Sequence, residues 1–418
     1  MAQLTDDCFA FSGPLMPIAD MEKLIAARVF PVNETETVAL HPARGRVLAR
    51  AVTAPLDLPP FDNSAVDGFA VRHRDLAPKG ETRLAVSGRL TAGSAAPAPI
   101  AESQAIRIFT GAPMPAGADT VFMQEDARTE GRDVIVPAGL KLGANRRLAG
   151  EDVRKGSVVL PAGRRLSTQD VALAAAVGVI QLEVRRRVRV ALFSTGDEIV
   201  EPGNPRPDAA LYDANRYLLT GMLDRLGAEV TDLGILKDDP AALARAIEAA
   251  ARDHDLVLTS GGVSTGEADH VRDAVEKVGR LVFWRVAIKP GRPVAMGVVG
   301  GAAFMGLPGN PVAAFVTFAR VVRPLLLRLA GAEAEPFTPL PVRLAFAYKK
   351  KTGRREYVRV ALRTAADGVV EAVKHPQEGA GVITSLTETD GFAELAEDAM
   401  TVEPGSTVGF LSYATLLG

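Results

Sequence analysis

Cysteine is almost absent: Cys8 is the only one in 418 residues. An internal disulfide is therefore excluded, and so are CxxC zinc sites and cysteine-held clusters, which suits a reducing compartment. Aromatic residues make up 5% of the chain, with Trp284 the single tryptophan, too few to build a platform on which nucleic-acid bases stack. Neither sign of charge dominates. Lys and Arg number 48 against 50 Asp and Glu, a net charge of −2, so no basic field draws the chain to nucleic acid or an anionic membrane. The longest apolar candidate, Val171–Val184, is interrupted by Gly178, Gln181 and Glu183. It falls short of the roughly 20 residues that a membrane-spanning helix needs. Asp6 and Asp7 stand where a secretory leader would be basic. The five histidines form no HExxH, and neither GxxxxGK[ST] nor GxGxxG occurs, so zinc-hydrolase, P-loop and nicotinamide chemistry lack support. These absences predict a folded cytoplasmic protein with no nucleic-acid or membrane partner.

What is present changes character along the chain. Ile18, Met21, Leu24 and Ile25 recur at helical spacing within Pro17–Arg28. From about Ala51 to Ala149 the sequence is dense in Gly and Pro, with short β-leaning runs such as Phe69–Arg72, Leu84–Ser87, Ile106–Phe109, Thr120–Met123 and Val134–Val136, the pattern of a β-rich module. Ser167 reads as the cap of a helix that ends before Gly178. Between Val188 and about Ala330 strands and helices alternate. Strands are expected at Val188–Phe193, Glu229–Leu236, Asp255–Thr259, Leu281–Ile288, Val294–Val298 and Ala303–Leu307. Helices are expected at Ala214–Leu226, Pro240–Arg252, His270–Val278 and from Pro311. That order implies a doubly wound, mostly parallel α/β domain. Beyond Pro336 strands return, with hairpin signals at Ala366-Asp367-Gly368 and Asp390-Gly391. The length suits about three domains or one more.

In an open parallel sheet ligands gather outside the carboxyl ends of the strands. Four predicted strands run directly into polar, glycine-containing loops: Ser194-Thr195-Gly196-Asp197-Glu198, Ser260 to Asp269, Lys289-Pro290-Gly291-Arg292 and Pro308-Gly309-Asn310-Pro311. A fifth ends at Lys237-Asp238-Asp239. Gly261, Gly262 and Gly266 let backbone N–H groups approach an anion, and Ser260, Ser264 and Thr265 add hydroxyls. Asn310 and Pro311 open a helix whose positive end suits an anion. Asp197, Glu198, Asp238, Glu267 and Asp269 are hard oxygen donors of the kind that hold Mg²⁺ against phosphate, and Lys289 and Arg292 can clamp an oxyanion. A phosphate-bearing ligand with a divalent cation is the chemistry these residues share. Each loop alone also reads as an ordinary turn or helix cap. Elsewhere, Pro59 to Gly68 is a polar string that reads as a boundary turn with local bonds from Asn63 and Asp67. The basic runs Arg185–Arg187 and Lys349–Arg355 read as solvated surface.

The strings Pro59-Pro-Phe-Asp-Asn-Ser-Ala-Val-Asp-Gly68, Phe109-Thr-Gly-Ala-Pro-Met-Pro115, Gly150-Glu-Asp152, Ser194-Thr-Gly-Asp-Glu198, Thr259-Ser-Gly-Gly-Val-Ser264, Lys289-Pro-Gly291 and Leu307-Pro-Gly-Asn-Pro311 resemble, in order, the molybdopterin molybdenumtransferases, the family of MoeA and the gephyrin E domain. The resemblance implies a central domain of molybdopterin-binding type over 186–332 and an inserted β-rich module over 51–149. It also implies an N-terminal region made of 1–50 and 150–185, and a β-barrel over 333–418. It implies a transferase of molybdenum cofactor biosynthesis, inserting molybdate into adenylylated molybdopterin with Mg²⁺-dependent release of AMP. The enzyme would be a homodimer whose site is shared between subunits, with the adenylyltransferase of the pathway as a possible partner. Carried over by position, the catalytic residues are Asp62, Asp67, Asp152, Asp269 and Lys289, and the metal ligands Glu198, Asp238 and Asp269. The substrate contacts are Thr110, Ser194, Thr195, Gly196, Ser260, Gly261, Gly262, Ser264, Pro308, Gly309 and Asn310, with Arg354 (or Arg355) and Ser385 from the C-terminal domain. Val66 replaces a more usual Met, and Arg285 follows Trp284 where some members have Lys, which removes a compact point charge. Two other readings stay open: the adenylyltransferase of the same pathway, which normally lacks the first 150 residues, and a non-catalytic molybdopterin-binding scaffold.

Overall fold

The computed structural model describes residues 15–95, 98–262 and 270–417, with backbone alone for 282–284. Among the described residues no helix is long and apolar enough to cross a membrane.

The central sheet follows from the alternation in the sequence. Strands Arg189–Thr195, Glu229–Leu236, Leu256–Ser260 and Ala302–Leu307 are parallel, in the spatial order 229–236, 189–195, 256–260, 302–307. Two antiparallel strands, Pro293–Val299 and Gly279–Arg285, extend the last edge. Because the chain leaves 189–195 toward one side and returns on the other, the topological switch falls between that strand and 256–260. Helices cover both faces. Leu219, Met222, Leu223, Phe315 and Phe318 pack on one side, and Leu243, Ile247, Val271 and Val275 on the other. The predicted strand Leu281–Ile288 is divided: Gly279–Arg285 stays in this sheet, while Ile288–Lys289 leaves it to pair with a strand of the C-terminal domain. The last helix carries a π-turn, Phe318–Val322, just before Pro324. Proline has no N–H to donate to the preceding turn, and the wider turn absorbs the mismatch.

The module sheet has the order 120–123, 68–71, 104–108, 81–90, 133–137, 128–130 and buries apolar side chains on both faces. The chain enters and leaves it through paired segments, Asn63–Ser64 against Arg146–Arg147 and Val52–Thr53 against Val158–Leu160. Before them, Thr35–Ala39 pairs antiparallel with Gln181–Arg185. Ser167 does cap the helix Thr168–Ala176, in a reciprocal capping box with Asp170.

In the C-terminal region Arg355–Thr364, Val370–Lys374, Leu340–Leu344, Thr407–Ser412 and Gly391–Leu395 close into a five-stranded barrel, since 355–364 pairs with both 370–374 and 391–395. The Asp367–Gly368 turn makes the expected hairpin. Asp390-Gly391 does not: it leads from the short helix Thr384–Thr387 into a strand. Two basic runs read as solvated are so only in part: Lys349 and Lys351 are exposed, but other members are not. Lys350 is buried, and its ammonium donates to the carbonyls of Ala396 and Ala399. Arg186 pairs with Asp255 and Glu34, and Arg185 donates to the Val32 carbonyl. Each finds acceptors on an element distant in sequence, where a run of like charges gives no warning.

Candidate functional site

Three of the parallel strands end in the loops picked out by their composition, and those loops surround one cavity of about 670 Å³. Ser194, Thr195 and Glu198 line it from the first loop, Ser260, Gly261 and Gly262 from the second, and Pro308, Gly309 and Asn310 from the third. Gly196 sits in the first loop with φ +143 and the Glu198 carboxylate against it, where a Cβ would meet Oε2 at 2.7 Å. One side chain ties two loops together: buried Asn215, at the start of its helix, donates to Ser260 Oγ at 2.8 Å and to the Gly309 carbonyl at 2.7 Å. Asn310 occupies the N-cap of the last long helix without a side-chain cap bond. A larger cavity of about 1000 Å³ lies at the opposite edge, beside Arg187 and Gly227, which precede strands rather than follow them. The hydroxyls of that larger void are Ser167 and Thr168, at the capped start of a helix, whereas the strand ends carry Ser194, Thr195 and Ser260.

Gly261 has φ +90, and a Cβ there would meet the Thr195 carbonyl oxygen at 2.7 Å. A backbone oxygen in the strand next door cannot step aside. Gly261→Ala is therefore expected to destabilise the chain by about 1–3 kcal/mol through strain alone and to abolish ligand binding in this cavity. Denaturant unfolding and a binding titration on one preparation check both effects.

A second cavity of about 430 Å³ adjoins the first. Gly379 and Ala380 line this one, and Gly381 and Ile383 the first. Register sets its chemistry: pairing of Ile288–Lys289 with the barrel puts Lys289 opposite Glu356. Lys289 Nζ donates to Glu356 Oε2 at 3.1 Å and to the Tyr348 hydroxyl at 3.3 Å. Burial works against the ammonium charge, but Glu356 and Tyr348 outweigh it and hold Lys289 above the ordinary lysine value. Arg354, expected as a substrate contact, instead binds the other oxygen of the buried Glu356, and Arg355 pairs with Glu394 and Glu397. The guanidinium that meets Ser385 is that of Arg359. It donates to Ser385 Oγ at 2.9 Å and to the Gly379 carbonyl at 2.8 Å, and it is 7% exposed. Burial lowers its affinity for a proton. Among the described residues no carboxylate forms an ion pair with it; Glu378, which lines the same cavity and is bonded to Lys374, acts on it only through space. Lys374 and His375 line the same space.

The module residues form a third group. Asp62 accepts from the Ala149 N–H at 2.8 Å and from Arg146, and these outweigh burial to hold its carboxyl below the usual range. Asp67 accepts from Thr110 twice, N–H at 2.8 Å and hydroxyl at 2.9 Å, which lowers it too. That bond links the ends of two adjacent strands, 68–71 and 104–108, whereas Asn63 makes the local bond expected of a turn, to the Phe61 carbonyl. The Asp152 N–H donates to the Leu58 carbonyl, in the segment that leads to Asp62. None of Asp62, Asp67, Thr110 or Asp152 lines either cavity. Ser264 and Asp269 lie outside the described residues.

Sequence families match in the same three parts: "MoeA N-terminal region (domain I and II)" over 16–178, "Probable molybdopterin binding domain" over 191–328 and "MoeA C-terminal region (domain IV)" over 341–413. The molybdopterin molybdenumtransferase of Haemophilus influenzae is 38% identical over 398 residues, covering 95% of this chain and 98% of its own. The chain belongs to the molybdopterin molybdenumtransferase family. The Nostoc member is 36% identical over 90% of this chain and 88% of its own. A crystal structure of the Pyrococcus horikoshii molybdopterin biosynthesis MoeA protein superimposes with a TM-score of 0.80 at 29% identity, covering 96% of this chain and all of that one. A match through all three regions separates the chain from a single-domain adenylyltransferase.

A divalent cation is the one group the family resemblance adds that the residues must be tested for. Asp238 follows the strand 229–236 and keeps a buried Oδ1 that has no hydrogen-bond partner among the described residues. Burial first, and then the negative charges of Asp197 and Glu198, raise its carboxyl above the usual range, against the opposing charge of His270. An orphaned oxygen among like charges fits a hard cation. Among the described residues no three His, Cys, Asp or Glu side chains stand at metal-holding spacing, so Glu198 and Asp238 would need a further oxygen donor such as a phosphate.

Sequence reasoning missed Arg359, Glu356, Tyr348 and Asn215. Asn215 had a usable signal, since it sits in the first turn of the predicted helix, directly after Asp213 and Ala214. The barrel residues had none.

Proposed function

We propose that this chain inserts molybdate into adenylylated molybdopterin, with release of AMP, at the cavities along the carboxyl edge of its central sheet. Its place among the transferases of molybdenum cofactor biosynthesis comes from the family; the reaction in this detail is our reading of the residues. The observation that carries it is Arg359, a buried guanidinium with no ion pair among the described residues, facing the same cavity as Lys289. Lys289, Arg359 and Lys374 outnumber Glu356 and Glu378 in that cavity, so an anionic ligand balances it, and a tetrahedral oxyanion suits one guanidinium and one ammonium on neighbouring elements.

The adjoining cavity suits the pterin and its phosphate, through the amide of Gly262 and the hydroxyls of Ser194 and Ser260, while the Gly261 N–H is held by the Leu307 carbonyl. Glu198 and Asp238 would hold Mg²⁺, which when bound neutralises the oxygens of the phosphoanhydride. Asp62, Asp67, Thr110 and Asp152 belong to this reaction only if a second copy of the chain brings its module to the cavity. The exposed apolar side chains Phe61 and Leu148 beside Asp62, and Leu211 and Tyr212 at the cavity, support such a homodimer. An adenylyl-transferring enzyme must supply the substrate, which makes it a natural partner.

Equilibrium dialysis of molybdate against the full chain tests the reading. Arg359→Ala is expected to weaken binding about tenfold or more, roughly 1.4 kcal/mol. Unchanged molybdate affinity would remove the observation on which the assignment stands.

A further inference from the structure

The module carries a second concentration of unpaired positive charge that no role above uses. Strand pairing sets Arg89 directly opposite Arg107 on adjacent parallel strands. Like charges so placed repel across a sheet. Both guanidinium carbons lie over the Phe109 ring, at 4.9 Å for Arg89 and 5.0 Å for Arg107, and Arg107 also lies 4.9 Å from the centre of Phe69. Arg107 is thus held between two aromatic faces, with its fork fixed in direction. Among the described residues it donates only to the Gln124 amide oxygen and, at 3.5 Å, to the Gly68 carbonyl. Arg89 has no ion pair among them. Arg107, Arg132, Gln124 and Phe69 line a cavity of about 600 Å³.

The position of this group matters as much as its charge. Phe109 is followed by Thr110, which is fastened to Asp67, and the Gln124 N–H donates to the Asp67 carbonyl at 3.0 Å. The arginines therefore flank the Asp67–Thr110 pair that the proposed reaction recruits from the second copy. Asp67, already occupied by Thr110, and Glu125, to which the Gln124 amide donates at 3.1 Å, supply two negative charges to this surface against three guanidinium groups.

We propose that Arg89, Arg107 and Arg132 form a phosphate-recognition site on the module, which takes the phosphate of a nucleoside monophosphate or of the anhydride that contains it. The inference rests on the reading above, since it assigns the module the nucleotide end of the same substrate. Two neighbouring planar guanidinium groups suit a phosphate's several oxygens, and the aromatic backing excludes water from one side of them.

Isothermal titration of the full chain with AMP, and with adenosine as the phosphate-free control, tests it. AMP is expected to bind the wild type, to bind Arg89→Gln and Arg107→Gln at least tenfold more weakly, and to outcompete adenosine by a similar factor. Arg89 is exposed on its strand, so Arg89→Gln remains informative even where Arg107→Gln disturbs the aromatic stack. No AMP binding by the wild type, equal affinity for adenosine, or unchanged AMP affinity in both variants overturns the proposal. The two readings fail separately. Arginine-dependent AMP binding with no molybdate-dependent AMP release keeps this site and removes the reaction; molybdate-dependent release with arginine-independent AMP binding does the reverse.

Discussion

Lys289→Ala is expected to lower the single-turnover rate of molybdenum insertion about 10²–10³-fold, the usual loss when one preorganised oxyanion donor is removed. The ammonium is held by Glu356 and Tyr348 rather than left to roam, so its position is fixed before the anion arrives. The variant should still fold. Glu356 keeps Arg354 and Tyr348 as partners, with Arg354 Nε at 2.9 Å and the Tyr348 hydroxyl at 3.0 Å. Lys289→Arg should not restore the rate, because a forked guanidinium cannot reproduce a point contact made between a tyrosine hydroxyl and a carboxylate. Rapid-quench measurement of product with saturating substrate checks this. A rate within threefold of the wild type would take Lys289 out of the chemistry.

Mixing two inactive chains should restore activity. If Asp67 acts on the cavity of the partner copy, Asp67→Ala and Lys289→Ala subunits each give dead dimers. A mixed dimer then contains one site with both lesions and one with neither. Random reassortment makes half of all dimers mixed, so roughly a quarter of the wild-type activity should return. Were Asp67 to act within its own chain, every site in the mixture would still carry a lesion and nothing would return. The measurement is the activity of an equimolar mixture after co-refolding or co-expression, read against each variant alone.

The central domain was legible because its strands and helices alternate with clear caps, and because buried parallel strands leave their polar loops at one edge. Ser194, Ser260 and Asn310 could be read as neighbours from that rule alone. The barrel site could not. In Arg354-Arg355-Glu356-Tyr357-Val358-Arg359, alternation suggests that the charged positions face water, yet Glu356 and Arg359 are buried. What turns them inward is closure of the barrel and a strand from another domain laid against it, a register that no local pattern encodes. Lys350 misleads in the same way: a lysine in a basic run reads as hydrated until three carbonyls from 396–399 gather round it. The Asp67–Thr110 bond joins residues 43 apart, a distance over which sequence shows that two polar residues exist but not that they meet.

The most direct test of the account is to incubate the full chain with adenylylated molybdopterin and Mg²⁺, with and without molybdate, and to follow AMP together with molybdenum-loaded cofactor. The account predicts that both appear together and only when molybdate is present. AMP release at the same rate without molybdate, or none under either condition, would contradict it.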